Sequence, residues 1–154
     1  MIKVYIQISC KKKNIPHKKT FKKWIYSTIK KNVSNAIITI YIVKKKKMIE
    51  LNKKYRNIKK NTNILSFNLG KNKKKNQNVL IGDLVICKKK VEKEAKKYKL
   101  KLTARWAHLT IHGILHLLNY KHNTIKNYKK MKKIEIQKMK SFGFFKKYYK
   151  NMIK

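Results

Sequence analysis

Strand-like and helix-like segments interleave along this chain, and with its length they predict an α+β fold formed by one domain over residues 1–154. A chain of 154 residues that is 42% hydrophobic can bury one substantial core but is short for two. Residues 2–9 alternate apolar and polar, the pattern of a half-buried strand. Residues 36–43 read Ala-Ile-Ile-Thr-Ile-Tyr-Ile-Val, a β-branched and nearly continuous apolar run expected of a central strand covered on both faces. Between them Phe21, Trp24, Ile25, Thr28 and Ile29 recur at i, i+3, i+4, i+7 and i+8, the apolar stripe of a helix whose other face is lysine.

The remaining elements follow in order. The lysine run 44–47, a solvated face, leads into a short helix carrying Met48, Ile49, Leu51 and Tyr55 and ending before Arg56. Thr62 to Phe67 reads as a short strand, and Gly70 to Asn78 as a mobile lysine-asparagine loop without apolar anchors. Val79 to Cys87 is a further strand, interrupted at Gly82-Asp83, and residues 88–98 place Val91, Glu94, Ala95 and Tyr98 at helical spacing. Leu102 to Leu118 is the most apolar helix; it buries Trp106, Leu109, Ile111, Ile114 and Leu115 and sets His108, His112 and His116 along one side. Residues 124–139 form a polar helix around Ile125, Tyr128, Met131, Glu135 and Met139, and residues 140–154 are a basic-aromatic tail.

The formal charge of +39, from 44 basic and 5 acidic residues, exceeds what solubility needs and strains the folded state unless a polyanion or counterions screen it. RNA or DNA is the natural partner. All the basic residues but Arg56 and Arg105 are lysine, and Asn, Ile and Tyr are also abundant, which marks AT-rich coding and assigns part of the charge to mutational bias. Cys10 and Cys87 are isolated, so neither a disulfide framework nor a Cys-ligated zinc site is expected, and a reducing cytoplasm fits. No apolar run approaches eighteen residues and the N-terminus reads as a strand, so no membrane span and no export signal are expected.

The histidines carry the chemistry. His112 and His116 are four apart and project from one helical face, close enough to share an ion. His122 lies beyond Asn119, a residue type that tolerates the left-handed conformation ending helices, so the chain can turn back and bring His122 to the same ion. Three protein ligands leave one coordination position for water, which separates a catalytic zinc from a closed structural one. A peptidase is disfavoured: metalloproteases of this spacing place a glutamate after the first histidine as general base, and that position is Gly113.

The run His108-Leu-Thr-Ile-His112-Gly-Ile-Leu-His116-Leu-Leu-Asn119-Tyr120-Lys121-His122 resembles the pattern H-G-x-L-H-L-x-G-Y-D-H of the YbeY-type endoribonucleases, bacterial rRNA maturation factors. Upstream, Leu51-Asn52-Lys-Lys-Tyr55-Arg56, Thr62-Asn63-Ile-Leu-Ser66-Phe67 and Gly82-Asp83-Leu-Val-Ile86 are similar to that family's L-N-x-x-Y-R, T-D-V-L-S-F and G-D-I-x-I segments, in the same order, over about residues 1–140. The resemblance implies an α+β fold with a small mixed sheet and a zincin-like metal-binding helix. It implies one Zn2+ per chain on His112, His116 and His122, and a single-strand-specific endoribonuclease acting in small-subunit rRNA maturation and ribosome quality control. Its partners would be rRNA precursor and the ribosomal small-subunit particle. The chain departs from the pattern at Asn119 for Gly, Lys121 for Asp and Asn63 for Asp. If either missing carboxylate oriented a ligand imidazole, metal affinity would fall.

Roles for the other residues follow. Arg56, at the family's arginine position, is the expected phosphate ligand and catalytic partner of His112, because its planar fork grips two oxygens where lysine offers a point charge. Arg105 matches no motif and is expected on a solvated face. His108 is expected to be structural or to support a ligand rather than to bind metal, and Asp83 to fix a loop or serve partner binding. Thr62 and Ser66 bound a strand and read as turn formers, while Tyr41, Tyr55 and Phe67 are candidate stacking partners for RNA bases. The alternative is a ribosome-assembly RNA-binding protein that keeps the fold with weakened catalysis; a third possibility is a metal hydrolase of another substrate.

Overall fold

The computed structural model describes residues 1–72 and 79–153. The elements are β1 (Ile2–Ile8), α1 (Lys18–Ile29), β2 (Asn35–Val43), α2 (Lys45–Arg56), β3 (Ile64–Asn72), β4 (Val79–Cys87), α3 (Lys88–Lys97), α4 (Leu102–Leu117), α5 (Ile125–Ser141) and α6 (Lys146–Ile153). They build an α+β fold on one four-stranded sheet of order β1-β2-β4-β3. β1, β2 and β4 run parallel and β3 pairs antiparallel with β4, so the sheet is mixed, as expected. Parallel neighbours need a crossover, and α1 supplies the one from β1 to β2.

One sheet face carries the main core. Ala36, Ile38, Ile40 and Ile42 of β2 and Leu80, Leu84 and Ile86 of β4 pack under Phe21, Trp24, Ile25 and Ile29 of α1 and Trp106, Ile111 and Ile114 of α4. Phe21 meets Trp24 and Trp106 edge-on, at centroid separations of 5.6 and 5.8 Å, and so ties α1 to α4. Each such fully buried side chain contributes about 1.5–3 kcal/mol. On the other face a smaller cluster of Val43, Met48, Leu65, Val85 and Cys87 lies beneath α2.

α4 sits on the sheet at unusually close range. A Cβ on Gly113 would lie 2.7 Å from Ile64 Cδ1 and 2.8 Å from Leu84 Cδ2, and a Cβ on Gly82 would lie 2.6 Å from Leu117 Cδ1. The helix and the strand each give up a side chain where the other needs room. Gly82 therefore does not interrupt β4, which runs unbroken from Val79 to Cys87.

Several expectations are corrected. β2 is central, but its second face is only half-buried at Asn35, Ile37, Thr39 and Tyr41, because α2 covers only the end of the strand. The lysine run at the start of α2 is its first turn. β3 extends through Gly70 to Asn72 beyond a register shift after Asn68, where Gly70 adopts φ +94° and donates its N–H to Asn68 Oδ1 at 2.8 Å. Of the expected loop Gly70–Asn78, residues 73–78 lie outside the described residues. The basic-aromatic tail contains a further helix, α6, and Tyr148 within it is 4% exposed.

Candidate metal centre and its supporting network

His112 and His116 occupy the last two turns of α4, with their Nε2 atoms 3.0 Å apart. The helix ends at once after them. Asn119 takes φ +69°, its N–H bonds to His116 O at 3.0 Å, and the N–H of Tyr120 bonds to Leu115 O at 3.0 Å. This paired closure satisfies the last carbonyls and reverses the chain, as expected of Asn119. His122 then returns with its ring stacked on His112 at 5.7 Å and edge-on to His116 at 4.8 Å.

One ligand atom from each of the three histidines lies within 4.8 Å of the others. A tetrahedral zinc with bonds of about 2.0–2.1 Å sets its ligand nitrogens about 3.4 Å apart, so this donor set fits one ion with small side-chain adjustments. Burial, followed by the neighbouring His112 and His122, lowers the pKa of His116 to about 4. It is therefore neutral and able to ligate at neutral pH.

Behind the cluster stands Glu135 of α5, a buried carboxylate that the sequence reading gave no site role. His112 Nδ1 hydrogen-bonds Glu135 Oε1, and His108 Nε2 lies 2.9 Å from Glu135 Oε2. Burial alone would raise this carboxyl, but the hydrogen bonds from His108 and His112 outweigh it and lower the pKa to about 2. An ionised carboxylate can only accept, so both imidazoles donate to it. His112 therefore carries its proton on Nδ1 and turns the Nε2 lone pair toward His116 and His122. This is the carboxylate–histidine arrangement that orients metal ligands.

The same logic extends away from the cluster. With its proton on Nε2, His108 accepts at Nδ1 from the Tyr148 hydroxyl at 2.7 Å. That hydroxyl in turn accepts from Arg105 Nη1 at 2.9 Å. Arg105 Nη2 pairs with Glu94 Oε1 at 3.2 Å, and Asn63 Nδ2 donates to the same oxygen at 3.2 Å. A continuous polar chain thus joins the start of β3 to a candidate ligand through α3, α4, α5 and α6. Burial dominates the environment of His108 and lowers its pKa, which keeps the imidazole neutral.

The structure brings together His108, His112, His116 and His122. Both nitrogens of His108 are engaged, one by Glu135 and the other by Tyr148. Arg105 corrects the expectation of a solvated residue: it is 6% exposed and held by Glu94 and Tyr148, because α3 and α6 close over that face of α4. Neither family aspartate position touches a ligand imidazole, since Asn63 bonds Glu94 and Lys121 is exposed. Arg56 is the exposed last residue of α2, apart from the cavity beside the histidines. Tyr55 beside it packs on Phe67 at 5.0 Å, on the face of β3 that points away from α4. Asp83 lies in β4 opposite Thr39 and Phe67, also on the face away from α4, and burial raises its carboxyl pKa. Tyr41 and Phe67 pack partly buried against the smaller core cluster, and Ser66 faces Gly113. Asn52 of the Leu51-Asn52 segment is buried and donates to Lys60 O at 2.9 Å, a structural role. Glu135 had one signal in the sequence: it is among only five acids and sits four residues from both Met131 and Met139 on an apolar stripe, where a carboxylate demands a partner.

Comparison with known proteins places the chain in a family. A family model described as Endoribonuclease YbeY matches residues 5–143. Proteins named Endoribonuclease YbeY from Buchnera aphidicola subsp. Schizaphis graminum and from Buchnera aphidicola subsp. Acyrthosiphon pisum are 48% and 46% identical. They cover 94% and 92% of this chain and 91% of each relative. The protein of that name from Psychromonas ingrahamii is 39% identical over 92% of both chains. The solution structure of TM1509 from Thermotoga maritima shares the fold, with a TM-score of 0.57 and 23% identity over 92% of this chain and 91% of that one. By its sequence over nearly its whole length, the chain belongs to the YbeY family of endoribonucleases.

Proposed function

We propose that this chain is a zinc-dependent endoribonuclease, acting in the cytoplasm on single-stranded RNA. Its substrate would be rRNA precursor within the small-subunit particle, in maturation and ribosome quality control. Residues 1–154 form a single YbeY-like endoribonuclease domain. The observation that carries the reading is the three-histidine cluster backed by the Glu135 carboxylate in a chain of this family. His112, His116 and His122 hold one ion. Zinc there supplies Lewis acidity toward a phosphoryl oxygen and acidifies a water.

The chain's own groups do the rest. Glu135 fixes the His112 tautomer and His108 fixes Glu135. Arg56, exposed and without a carboxylate within ion-pair distance among the described residues, grips a phosphate of the same strand and offsets developing charge. Asp83 supports the sheet behind. The net charge of +39 steers the RNA in. The alternative, a binding protein with weakened catalysis, drew its force from the missing carboxylates at positions 63 and 121. Glu135 supplies the support those positions were expected to lack, which favours the enzyme.

The test is metal content by mass spectrometry followed by cleavage of labelled single-stranded RNA on the same samples. The wild type is expected to hold one zinc per chain and to cut; His116→Ala loses both, and Arg56→Ala keeps zinc but cuts more slowly. A folded wild type without metal would sink the reading in favour of the binding protein.

A further inference from the structure

We infer that the cavity beside the histidine cluster seats one unstacked base of the RNA strand, next to the bond to be cut. Tyr128 is its stacking face and Lys132 its phosphate contact. This rests on the ribonuclease reading above and names where the substrate lies.

The cavity, of about 300 Å³, lies between His108 and His112 of α4, His122, one face of α5 carrying Tyr128, Met131, Lys132 and Glu135, and Tyr149 and Met152 of α6. It is at the small end of ligand pockets, which run from about 300 to 1,000 Å³, and suits one base with its sugar. A duplex keeps its bases paired and stacked and cannot fill such a cavity without flipping one out. The cavity therefore selects unpaired RNA by shape.

Its walls offer what a base and its phosphate need. Tyr128 is 50% exposed, so its ring is free to stack, an interaction that tolerates any base. Lys132 Nζ lies 3.4 Å from the Tyr128 hydroxyl and over one face of its ring, 5.5 Å from the centroid, which leaves the opposite face for a base and holds the ammonium close to the strand. Flexible, polarizable methionines adapt to purine and pyrimidine alike. Both oxygens of the carboxylate in the wall are turned to His108 and His112, so neither is presented as an acceptor to the strand.

The assignment is tested with the full-length, zinc-loaded protein and a set of short phosphorothioate single-stranded RNAs, each carrying one fluorescent adenine analogue at a different position. The wild type should quench the analogue at one position through stacking. Tyr128→Leu should abolish that quenching and weaken binding about tenfold. Lys132→Met should weaken binding more than Lys129→Met, which removes an exposed lysine outside the cavity. Zinc content should be the same in all variants, and with unmodified RNA Tyr128→Leu should raise KM and leave kcat unchanged. Unaltered quenching and affinity in Tyr128→Leu with zinc retained, or equal affinity for duplex and single strand, would overturn the assignment. A wild type that neither binds nor cleaves RNA would instead mean that the ribonuclease reading had failed, and this inference with it.

Discussion

His112 and Glu135 lie 23 positions apart in the chain, and their contact decides which nitrogen of the imidazole faces the cluster. The histidines themselves were legible, because a spacing of four on a helix and an Asn able to take positive φ are local facts. Glu135 and Tyr148 were not, because their meaning depends on α5 and α6 folding back over α4. Arg105 was misread for the same reason, since its partners Glu94 and Tyr148 come from other helices. The contact makes a prediction about the metal. Glu135→Ala should leave His112 free to rotate or to change tautomer and weaken zinc binding by about 10–100-fold. Glu135→Gln, with one acceptor oxygen where the carboxylate has two, should fall between. Competitive titration with a chromophoric chelator measures this, and an affinity equal to wild type in Glu135→Ala would refute the orienting role.

α4 does two jobs with adjacent residues: His112 faces the cluster while Gly113 lets the helix settle on β3 and β4. The close approach also lets Asn68 Nδ2 bond Leu117 O at 2.9 Å, which ties the edge strand to the end of the histidine helix. Gly113→Ala should therefore be destabilising despite the better helix propensity of alanine, worth about 1 kcal/mol. The inserted methyl group meets Ile64 and Leu84, both tied into the sheet, and overpacking of this kind costs about 1–3 kcal/mol. The net loss should appear as a lower urea midpoint with an unchanged slope, and a midpoint at or above that of the wild type would show that the helix can lift away at no cost. Most elements were readable from periodicity, α6 excepted. It spans only 8 residues, and its anchor Tyr148 is buried through a hydroxyl network that no sequence pattern announces.

Across the molecule, charge acts in opposite directions on folding and on binding. Of the five acids, Glu94 and Glu135 are committed to the polar network and Glu50 pairs loosely with Lys47 at 3.8 Å, so little negative charge remains to offset the lysines. Coding bias helps to place those lysines, but their mutual repulsion is physical whatever their origin. Added salt shortens the screening length from about 10 Å at 0.1 M to about 3 Å at 1 M, so it should relieve the repulsion and raise the melting temperature. The same salt should weaken RNA binding along a straight line in log–log form, with a slope of about −0.7 for each phosphate neutralised on a single strand. Lys132→Met should flatten that slope by about one such contact while the melting curve keeps its salt dependence. Thermal melts and RNA titrations over one series of sodium chloride concentrations measure both. A melting temperature that fell as sodium chloride rose would mean that the lysines are balanced within the fold. The cationic surface would then no longer be available as the force that gathers RNA toward the histidine cluster.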